Sequence, residues 1–594
     1  MPEARSHAGV CCRPGWLAQL LRWWQASQWY VVVAAGAVAL GLGFLGHRWF
    51  FLAEGHAPSL LDILYPSLKL FVLDADVDLH PNWALEIARF LAPLTLGYAA
   101  VQAFVLVTLQ RVKTAQLSRV KKHVVVCGLG RKGVQLVRDF RSQGQTVVAI
   151  DADVYNDHHR LCRELGAIVL VGDASHADLL RQARVSAARY VIAATGDDGA
   201  NIEIAVHAYE LFQKRARAFS HPLQCLVHVV DATLCTVFRQ APMFRSDNDL
   251  FEVNVFNTFE NSARLLFEEH PLDRLHISRA SPVTVHLVVI GFGKMGQSVC
   301  VQAARIGHFA NGRKLRITII DKNADEVRSC FLALYPQFEQ VCEVEFIQAL
   351  AYSVQVDERL SRWAAEADRL MTVAVCLDND ARSLTRALDL ADKLQRFKVA
   401  VIARMEEDVG LASLVTCEGA CHPAVCGLTV FGQINRVCAL ERLMSDRLDR
   451  IARRIHENYL TVARQDPNKM QDDEALREWE HLPECYKDAN RHVADHVDVK
   501  LRAVGLPKGQ APTREFTDVE MDMLSRMEHA RWAADRLLAG WRLAPPPKNE
   551  RLKTNPNLIP WEQLDDVNKE KDRKAVRELH HWLSSSEPQR SGVS

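Results

Sequence analysis

The sequence predicts two consecutive doubly wound α/β units, preceded by a hairpin of two apolar helices and followed by a mainly helical domain. Three observations support this fold class. A glycine-rich turn follows an apolar strand pattern near residues 128 and 291, two long uncharged runs lie near the N-terminus, and residues 441–594 are polar and rich in tryptophan. A chain of 594 residues is also too long for one hydrophobic core, so several domains are expected.

The composition gives no sign of a nucleic-acid partner, because Lys+Arg and Asp+Glu both number 72. The 15 cysteines follow no regular spacing. Cys127 and Cys376, for example, lie inside apolar strand patterns, where a free thiol acts as a small apolar group. We therefore expect most of the chain to lie in a reducing, cytoplasmic compartment.

The N-terminal region predicts a two-span transmembrane hairpin over residues 29–110. Residues 29–46 form an unbroken apolar run that continues at residues 51–53, and residues 90–109 form a second run without a charge. Each run is long enough to cross ~30 Å of hydrocarbon as a helix. The first run begins late and is followed by no clear cleavage site, which argues against a removed signal peptide. The alternative is a pair of buried core helices.

The charges that flank the two runs predict their orientation. Cations precede the first run and follow the second, whereas acids occupy the connecting loop, so both termini should be cytoplasmic. The cations are Arg13, Arg22, Arg111, Lys113, Arg119, Lys121 and Lys122, and the loop acids are Asp62, Asp74, Asp76 and Asp78. We expect a multi-pass protein of the bacterial inner (cell) membrane, with a basic linker at residues 111–121.

Residues 1–28 form a cytoplasmic N-terminus with a predicted interfacial helix. Its apolar residues repeat at helical spacing, with tryptophans among them and Arg22 nearby, as in helices that lie along a membrane surface. The alternative is a longer first spanning helix.

The hairpin resembles the pore unit of simple potassium channels, with residues 66–71 in the place of a pore helix. The Thr-Val-Gly-Tyr-Gly filter of those channels is absent, and residues 72–78 hold clustered aspartates and no glycine. Since that filter presents backbone carbonyls from a glycine-containing loop, potassium selectivity is not predicted. A ring of aspartates could favour monovalent cations, and the alternative is a solvated outer loop.

The first glycine-rich turn carries the spacing of a dinucleotide-binding unit. Gly128, Gly130 and Gly133 follow a buried strand and open a helix, in the order that a pyrophosphate site requires. A second strand ends at Asp151, where a carboxylate can accept hydrogen bonds from ribose hydroxyls. The alternative is a Rossmann fold that has lost its ligand.

Further motifs after the third and fourth strands, at residues 171–175 and 193–198, make residues 122–282 resemble the TrkA-N or RCK domain, the regulator of potassium conductance. The resemblance implies a site for NAD(H) or an adenine nucleotide (ATP/ADP) and transmission of binding to a membrane pore. It also implies a homotetramer with a ring of eight lobes. The acid at Asp151 makes NADP the less expected ligand. The site residues that the resemblance implies are Gly128, Gly130, Arg131, Gly133, Asp151, Asp173, Ala174, Thr195 and Asp198.

Residues 283–440 repeat the pattern and resemble a second RCK domain. The corresponding site residues are Gly291, Gly293, Gly296 and Asp321. Gln348 and Ala349 replace the Gly-Asp that follows the third strand of the first unit, so ligand binding here stays open. Near the end of this unit, three cysteines and a histidine at residues 417–426 lack the spacing of a zinc site, and no metal is predicted.

Residues 441–594 are expected to form a helical linker and a domain that resembles the ryanodine receptor (RyR) repeat. The resemblance rests on a helix with His529 and Trp532, a Gly-Trp pair at its end, and a later Pro-x-Leu-x-Pro-Trp motif. An aromatic pocket for a planar ligand would be built from His529, Arg531, Trp532, Trp541 and Trp561. The alternative is that these side chains fill the core of a small domain.

These features favour a ligand-gated, nucleotide-sensing membrane channel or channel-like effector of the RCK potassium-transport type, with the RyR domain as an additional sensor. Two alternatives stay open. One is a membrane-tethered nucleotide sensor or scaffold without a pore, and the other is an NAD-dependent oxidoreductase. No catalytic constellation accompanies either glycine-rich turn, so we expect no enzyme activity.

Overall fold

The computed structural model divides the chain into two compact units, one up to Arg119 and one from Val120 onward. We call them the N-terminal unit and the C-terminal unit. The described residues are 16–56, 58–72, 82–214, 222–239, 241, 243, 250–407, 428–440, 443, 449–464 and 474–584.

The N-terminal unit consists of three α-helices and a 3₁₀ turn. They are α1 (Trp16–Ala53), α2 (Leu60–Lys69), the 3₁₀ turn Leu70–Val72, and α3 (Trp83–Arg119). By length and composition, Trp29–Ala53 and Trp83–Val105 could each cross a membrane. Residues 16–28 belong to the same helix as the first apolar run. The structure therefore has the longer first helix that was the alternative to an interfacial helix. The predicted linker is helical as far as Arg119.

The short helix α2 packs against α1, and the 3₁₀ turn that follows it packs against α3. Ser59 caps it by accepting the N–H of Asp62. The Ser67 hydroxyl donates to the carbonyl of Ile63 (2.7 Å) and lies 3.3 Å from Nδ1 of His47 in α1. The structure thus contains a helix where a pore helix was expected, although it begins at Leu60 rather than at residue 66. Asp74, Asp76 and Asp78 lie outside the described residues.

The first sheet of the C-terminal unit is fully parallel, in the strand order β3-β2-β1-β4-β5-β6. This is the doubly wound order, in which the ligand edge lies at the carboxyl ends of β1 and β4. Its elements are β1 (Val124–Cys127), α4 (Arg131–Ser142), β2 (Val147–Asp151), α5 (His158–Glu164), β3 (Ile168–Val171), α6 (Ala177–Gln182), β4 (Tyr190–Ala193), α7 (Asp198–Gln213), β5 (Leu223–His228), α8 (Ala232–Arg239), β6 (Phe251–Phe256) and α9 (Thr258–Glu269).

The second sheet repeats the same order, β9-β8-β7-β10-β11-β12, and is also parallel. The prediction of two consecutive Rossmann-type units is therefore confirmed. Its elements are β7 (Thr284–Ile290), α10 (Lys294–Ile306), β8 (Arg316–Asp321), α11 (Ala324–Leu334), α12 (Phe338–Val341), β9 (Glu343–Gln348), α13 (Val354–Ala364), β10 (Arg369–Val375), α14 (Asp380–Leu394), β11 (Ala400–Arg404), β12 (Leu428–Phe431) and α15 (Ile434–Val437).

The C-terminal region is mainly helical, as predicted. It comprises α16 (Arg450–Ala463), α17 (Glu484–Asp495), α18 (Val497–Ala503), α19 (Asp518–Leu538), the short strands β13 (Arg542–Leu543) and β14 (Thr554–Asn555), α20 (Asp566–Arg577) and α21 (Leu579–Ser584). Leu524 and Met527 of α19 are buried in one core cluster with Val299 and Phe338 of the second α/β unit. The helical domain and the second α/β unit therefore share a continuous core.

Candidate functional site

The first glycine-rich turn requires glycine at two positions for steric reasons. Gly128 adopts φ +92°, and a Cβ there would lie 2.8 Å from Cα of Thr195. A Cβ on Gly133 would lie 1.8 Å from the carbonyl oxygen of Gly128. Gly130 differs, because a Cβ there would meet no atom within 4 Å. The turn is therefore packed tightly against β4 and α4, while Gly130 faces open space at the N-terminus of α4.

Asp151 holds this turn in place from the end of β2. Its Oδ2 accepts the N–H of Leu129 at 2.6 Å, and its Oδ1 accepts the N–H of Asp153 at 3.0 Å. Nε2 of His159 lies 3.7 Å from Oδ1. Asp151 is 9% exposed, so its described contacts orient the backbone of the turn and leave only a small accessible surface.

The ends of β3 and β4 place the other predicted residues at the same edge of the sheet. Asp173 is half exposed and accepts hydrogen bonds from the N–H and the hydroxyl of Ser175, which lower its pKa below the usual range. Ala174 beside it is buried. Asp198, at the start of α7, accepts the N–H groups of Val230 and Asp231 and so ties this edge to β5.

Thr195 is bound to Asn201, a residue outside the predicted set. Oδ1 of Asn201 accepts the N–H of Thr195 at 2.9 Å and its hydroxyl at 2.8 Å. The amide nitrogen of Asn201 donates to the carbonyl of His228 at 2.9 Å. Asn201 is completely buried, so it fixes the loop after β4 rather than contacting a ligand.

Arg131 extends from the first glycine-rich turn to the second α/β unit. Its Nη1 donates to Oε2 of Glu406 at 2.7 Å, and its Nη2 lies 3.4 Å from Oε1 of Glu407. Both glutamates follow β11 at the carboxyl edge of the second sheet. The Arg131 side chain is 53% exposed, so an incoming anion can reach it.

Lys132, the next residue, is a second cation at this turn. Its Nζ lies 3.2 Å from a ring nitrogen of His228, whose Nε2 is also 3.1 Å from the Thr258 hydroxyl. Burial lowers the pKa of Lys132. Burial, followed by the charge of Lys132, lowers the pKa of His228 to about 3. His228 is therefore neutral at physiological pH, and the cations of the site are Arg131 and Lys132.

The second glycine-rich turn has the same backbone arrangement. Gly291 adopts φ +92°, a Cβ on Gly296 would lie 2.3 Å from the Gly291 carbonyl oxygen, and a Cβ on Gly293 would meet nothing within 4 Å. Asp321 accepts the N–H of Phe292 at 2.8 Å. However, buried Met295 stands where the first turn has Lys132, and no acid follows β9.

The five aromatic-pocket residues are only partly brought together. The ring of His529 lies 5.7 Å from that of Trp532 and 6.0 Å from that of Trp561. Trp541 is instead flanked by the cations of Arg536 (5.4 Å) and Lys548 (5.1 Å). Trp541 and Trp561 are both buried, as the core alternative expects.

Arg531 points into a buried ion network rather than toward the aromatic rings. It donates to Glu528 through Nη2 at 2.6 Å, and Nζ of Lys500 donates to the same carboxylate at 2.5 Å. All three side chains are at most 5% exposed. The two cations lower the pKa of Glu528 although burial opposes this. The network joins α18 to α19 and has a structural role.

Sequence reasoning missed Lys132, Asn156 and Glu406. Lys132 lies between two predicted glycines, and its charge was a usable signal. Nδ2 of Asn156 donates to the carbonyl of Leu129 at 3.1 Å. The position of Asn156 shortly after Asp151 was a weaker sequence signal of a site residue. Glu406 is 275 positions from its partner Arg131, and no local pattern could have connected them.

No metal-binding group of three or more His, Cys, Asp or Glu occurs among the described residues. Cys417, Cys421, His422 and Cys426 lie outside those residues. The buried cysteines Cys127, Cys225, Cys376 and Cys438 carry free thiols. Burial raises the pKa of Cys225 and Cys438 to about 12, so these thiols behave as apolar packing groups.

Comparison with known proteins identifies two parts of the chain. Residues 124–231 match the TrkA-N domain, and residues 514–587 match the RyR domain. The glutathione-regulated potassium-efflux system protein KefC of Salmonella typhimurium and that of Salmonella paratyphi B are each 28% identical over 221 residues. That match covers 36% of this chain and 33% of each relative, so the chain spans about a third of the length of these curated proteins.

Two solved structures are distant matches to this chain. GsuK bound to ADP is 15% identical, with a TM-score of 0.38, over 72% of this chain and 99% of that one. The human SLO3 gating ring is 10% identical, with a TM-score of 0.37, over 55% of this chain and 83% of that one. The two domain matches confirm the TrkA-N/RCK and RyR resemblances that the motifs predicted.

Proposed function

We propose that this chain, which carries a TrkA-N domain and a RyR domain, is a nucleotide-sensing membrane protein of the potassium-transport type. In this proposal the first α/β unit binds NAD(H) or ADP/ATP. Binding there controls a membrane part assembled from four copies of the N-terminal unit. Monovalent cations are the transported species.

The observation that carries the proposal is the open, cationic cradle at the N-terminus of α4. Gly130 faces space in which a side chain would meet nothing, while Arg131 and Lys132 supply charge beside it. The free N–H groups at a helix N-terminus favour a phosphate at this position. Asp151 and Asp173 lie at the adjacent strand ends, where acids accept hydrogen bonds from ribose hydroxyls.

Coupling to the rest of the protein runs through Arg131. A pyrophosphate in the cradle would offer Arg131 a stronger anionic partner than Glu406 and Glu407, since arginine binds phosphate in a bidentate manner. The freed Glu406 keeps its ion pair with Arg404 of the same unit, whose Nη2 lies 3.4 Å from Oε2 of Glu406. The ligand thereby favours an arrangement in which the two α/β units are no longer joined at this point, as any ligand-driven switch requires.

The membrane part of the proposal rests on α1 and α3. Both hold a stretch long and apolar enough to span a bilayer. They expose large apolar side chains, such as Tyr30 (80%), Leu94 (69%) and Phe104 (72%), that lipid or further subunits would cover. The curated relatives are named as potassium-efflux proteins, which supports potassium as the first cation to test.

The protein acts by binding and not by catalysis in this proposal. A second candidate is a membrane-tethered nucleotide sensor without a pore, which the absence of glycine from residues 72–78 favours. An NAD-dependent oxidoreductase would need a substrate site beside the cradle. There Arg131 is already bound to the second unit, and His228 is buried with a pKa of about 3.

Flux from liposomes tests the proposal. The full chain is reconstituted in potassium-loaded vesicles, and efflux is measured with NAD, NADH, ADP or ATP outside and inside. We expect at least one nucleotide to change efflux several-fold in the natural chain and in Gly293→Asp, but not in Gly130→Asp. Nucleotide binding without any flux would instead establish the pore-less sensor. Turnover of NADH with a substrate would establish the oxidoreductase.

A further inference from the structure

A cavity lies at the junction of the second α/β unit and the RyR domain. Its volume is about 490 Å³, and we call it the amino-edge groove. One wall is the loop of residues 308–314, which leads from α10 into β8. The other wall is one face of α19, and Gln340 and Val341 of α12 close one side.

The amino-edge groove is distinct from the nucleotide cradle. Residues 308–314 precede β8, whereas the glycine-rich turn follows the carboxyl end of β7 at Ile290. Because β7 and β8 are parallel, the groove and the glycine-rich turn lie at opposite edges of the second sheet. A ligand in the groove would therefore not contact the carboxyl edge of either α/β sheet, where the glycine-rich turns lie.

The charged residues that line the amino-edge groove are all positive. Arg279, Arg313, Lys314 and Arg526 contribute to its lining, and no aspartate or glutamate does. In a chain whose formal net charge is zero, such a one-sided set favours an anionic ligand.

Two of these cations have only neutral partners among the described residues. Nη1 of Arg313 donates to the Thr284 hydroxyl at 3.2 Å, and Nζ of Lys314 donates to the Gln340 carbonyl at 2.7 Å. Both side chains are on the surface, so they can turn toward a ligand.

The other two cations are partly neutralised by two acids outside the lining, Asp522 and Glu562. Arg526 donates to Asp522 at 2.9 Å and also binds Glu562, while Arg279 lies 3.4 Å from Asp522. The positive charge in excess therefore sits on the loop side of the groove, at Arg313 and Lys314.

The floor of the groove is apolar and hollow. It is formed by α19 residues at helical spacing, so they share one face of the helix. They are Met523, Met527, Ala530, Ala533, Ala534 and Leu537. Ala530 and Ala533 leave room above the accessible part of the helix, whereas Met523, Met527 and Ala534 are buried beneath it in the shared core. Such a floor suits the planar or apolar body of a ligand.

His308 adds a polar group to the lining. Its Nε2 is buried and has no hydrogen-bond partner among the described residues, while its ring is hydrogen-bonded to the backbone of Ala304. An unpartnered buried nitrogen is unfavourable unless a ligand or water completes it. This nitrogen lies below the surface of the groove, so it is not one of the ligand contacts.

We propose that the amino-edge groove binds a nucleoside phosphate, with the phosphate at Arg313 and Lys314 and the base on the floor of α19. The volume falls within the ~300–1,000 Å³ typical of small-molecule sites. Since the ligand contacts the second α/β unit and the RyR domain at once, it strengthens their junction. This inference is independent of the ligand at the first glycine-rich turn.

Photolabelling of the full chain in detergent tests this site. The probe is 8-azidoadenosine 5′-monophosphate at millimolar concentration, followed by peptide mapping. We expect labelled residues within 308–314 or 523–537, also in the Gly130→Asp background. Arg313→Glu combined with Lys314→Glu should reduce that labelling at least tenfold, whereas Arg551→Glu, an exposed cation of the RyR domain outside the groove lining, should leave it unchanged.

A second, steric variant keeps the test decisive if the charge-reversed protein misfolds. Ala530→Trp places a large side chain over the exposed part of the floor without changing charge, and it should also abolish the labelling. Labelling confined to residues 124–231 would overturn the groove while supporting the cradle. Absence of labelling, or labelling of the groove unchanged in both variants, would overturn it as well. Labelling confined to the groove would support this inference, while the cradle, proposed for NAD(H) or ADP/ATP, is tested separately by the flux experiment.

Discussion

In both α/β units, a glycine at positive φ follows the first strand. An aspartate at the end of the second strand accepts the N–H of the residue that follows this glycine. The side chains around these turns differ. The first unit presents Arg131 and Lys132, whereas the second presents Lys294 and buried Met295. The glycine pattern therefore specifies how a strand turns into a helix, while the neighbouring side chains differ between the two turns.

The differences continue along the edge of each sheet. Asp173 follows the third strand of the first unit, while Ala349 occupies that position in the second. Thr195, held by Asn201, corresponds to Leu377, which is hydrogen-bonded through its carbonyl to Arg404. The second unit instead contributes Glu406 to the first site. The carboxyl edge of the second sheet thus contributes a side chain to the first site, and it lacks counterparts of Lys132 and Asp173.

The largest expected effect tests the shared backbone of the two turns. Gly133→Ala should lower the local free energy of unfolding by about 3 kcal/mol or more, because its Cβ would meet the Gly128 carbonyl oxygen at 1.8 Å. Gly296→Ala should have a smaller effect of the same sign, since the corresponding distance is 2.3 Å. Hydrogen exchange of the amides in β1 and β7 measures both.

The matched controls are Gly130→Ala and Gly293→Ala. A Cβ at either position meets no atom, so exchange should change by no more than about 0.5 kcal/mol. Equal loss of protection in all four variants would show that the turns are not packed as described.

The next prediction uses one buried histidine in each unit. Burial lowers the pKa of His228 and of His286 to about 3, against about 6.5 in an unfolded chain. Between these values the unfolded state binds more protons, so stability is fully present above about pH 6.5 and falls as the pH decreases toward 3. Each histidine contributes a slope of up to about 1.4 kcal/mol per pH unit.

Chemical denaturation of the full chain at several pH values measures this slope. His228→Gln and His286→Gln should each flatten the profile between about pH 6.5 and 4, and His481→Gln, an exposed residue, should not. A profile that keeps its slope in both buried variants would contradict the assignment of the acid sensitivity to these two residues.

A smaller effect tests the contact between the units. Glu406→Gln removes the nearer of the two charged partners of Arg131 and so weakens the competition with a bound phosphate, while Glu407 stays. Nucleotide affinity should rise about five- to tenfold, equivalent to about 1 kcal/mol for a half-exposed ion pair. Isothermal titration of the full chain measures it, with Glu345→Gln, an acid of the second sheet paired to Arg316, as the control. Unchanged or weaker binding in Glu406→Gln would exclude the competition.

The sequence was sufficient for the fold because its signals are local. Two glycine-rich turns between a buried strand and a helix identified both sheets, and two apolar runs identified α1 and α3. The site was only partly predictable. Gly130 and Arg131 follow from position along the chain, but the partner of Arg131 depends on how two separate sheets pack.

The aromatic residues of the RyR domain show the same limit. Arg531 was expected beside the tryptophans, yet it lies three residues from Glu528 on one helix face and pairs with it inside the core. Residues at this spacing are neighbours on a helix, so the pairing was foreseeable, but the burial that makes it a structural contact was not.

Nucleotide binding by two matched glycine variants tests the central claim most directly. Thermal unfolding of the full chain is followed with NAD, NADH, ADP and ATP, each at about a hundred times its dissociation constant, which corresponds to about 2.7 kcal/mol of stabilisation. We predict that one of these nucleotides stabilises the natural chain and Gly293→Asp but not Gly130→Asp, in which a carboxylate occupies the cradle. Stabilisation retained in Gly130→Asp, or lost in Gly293→Asp alone, would contradict a nucleotide site at the first glycine-rich turn.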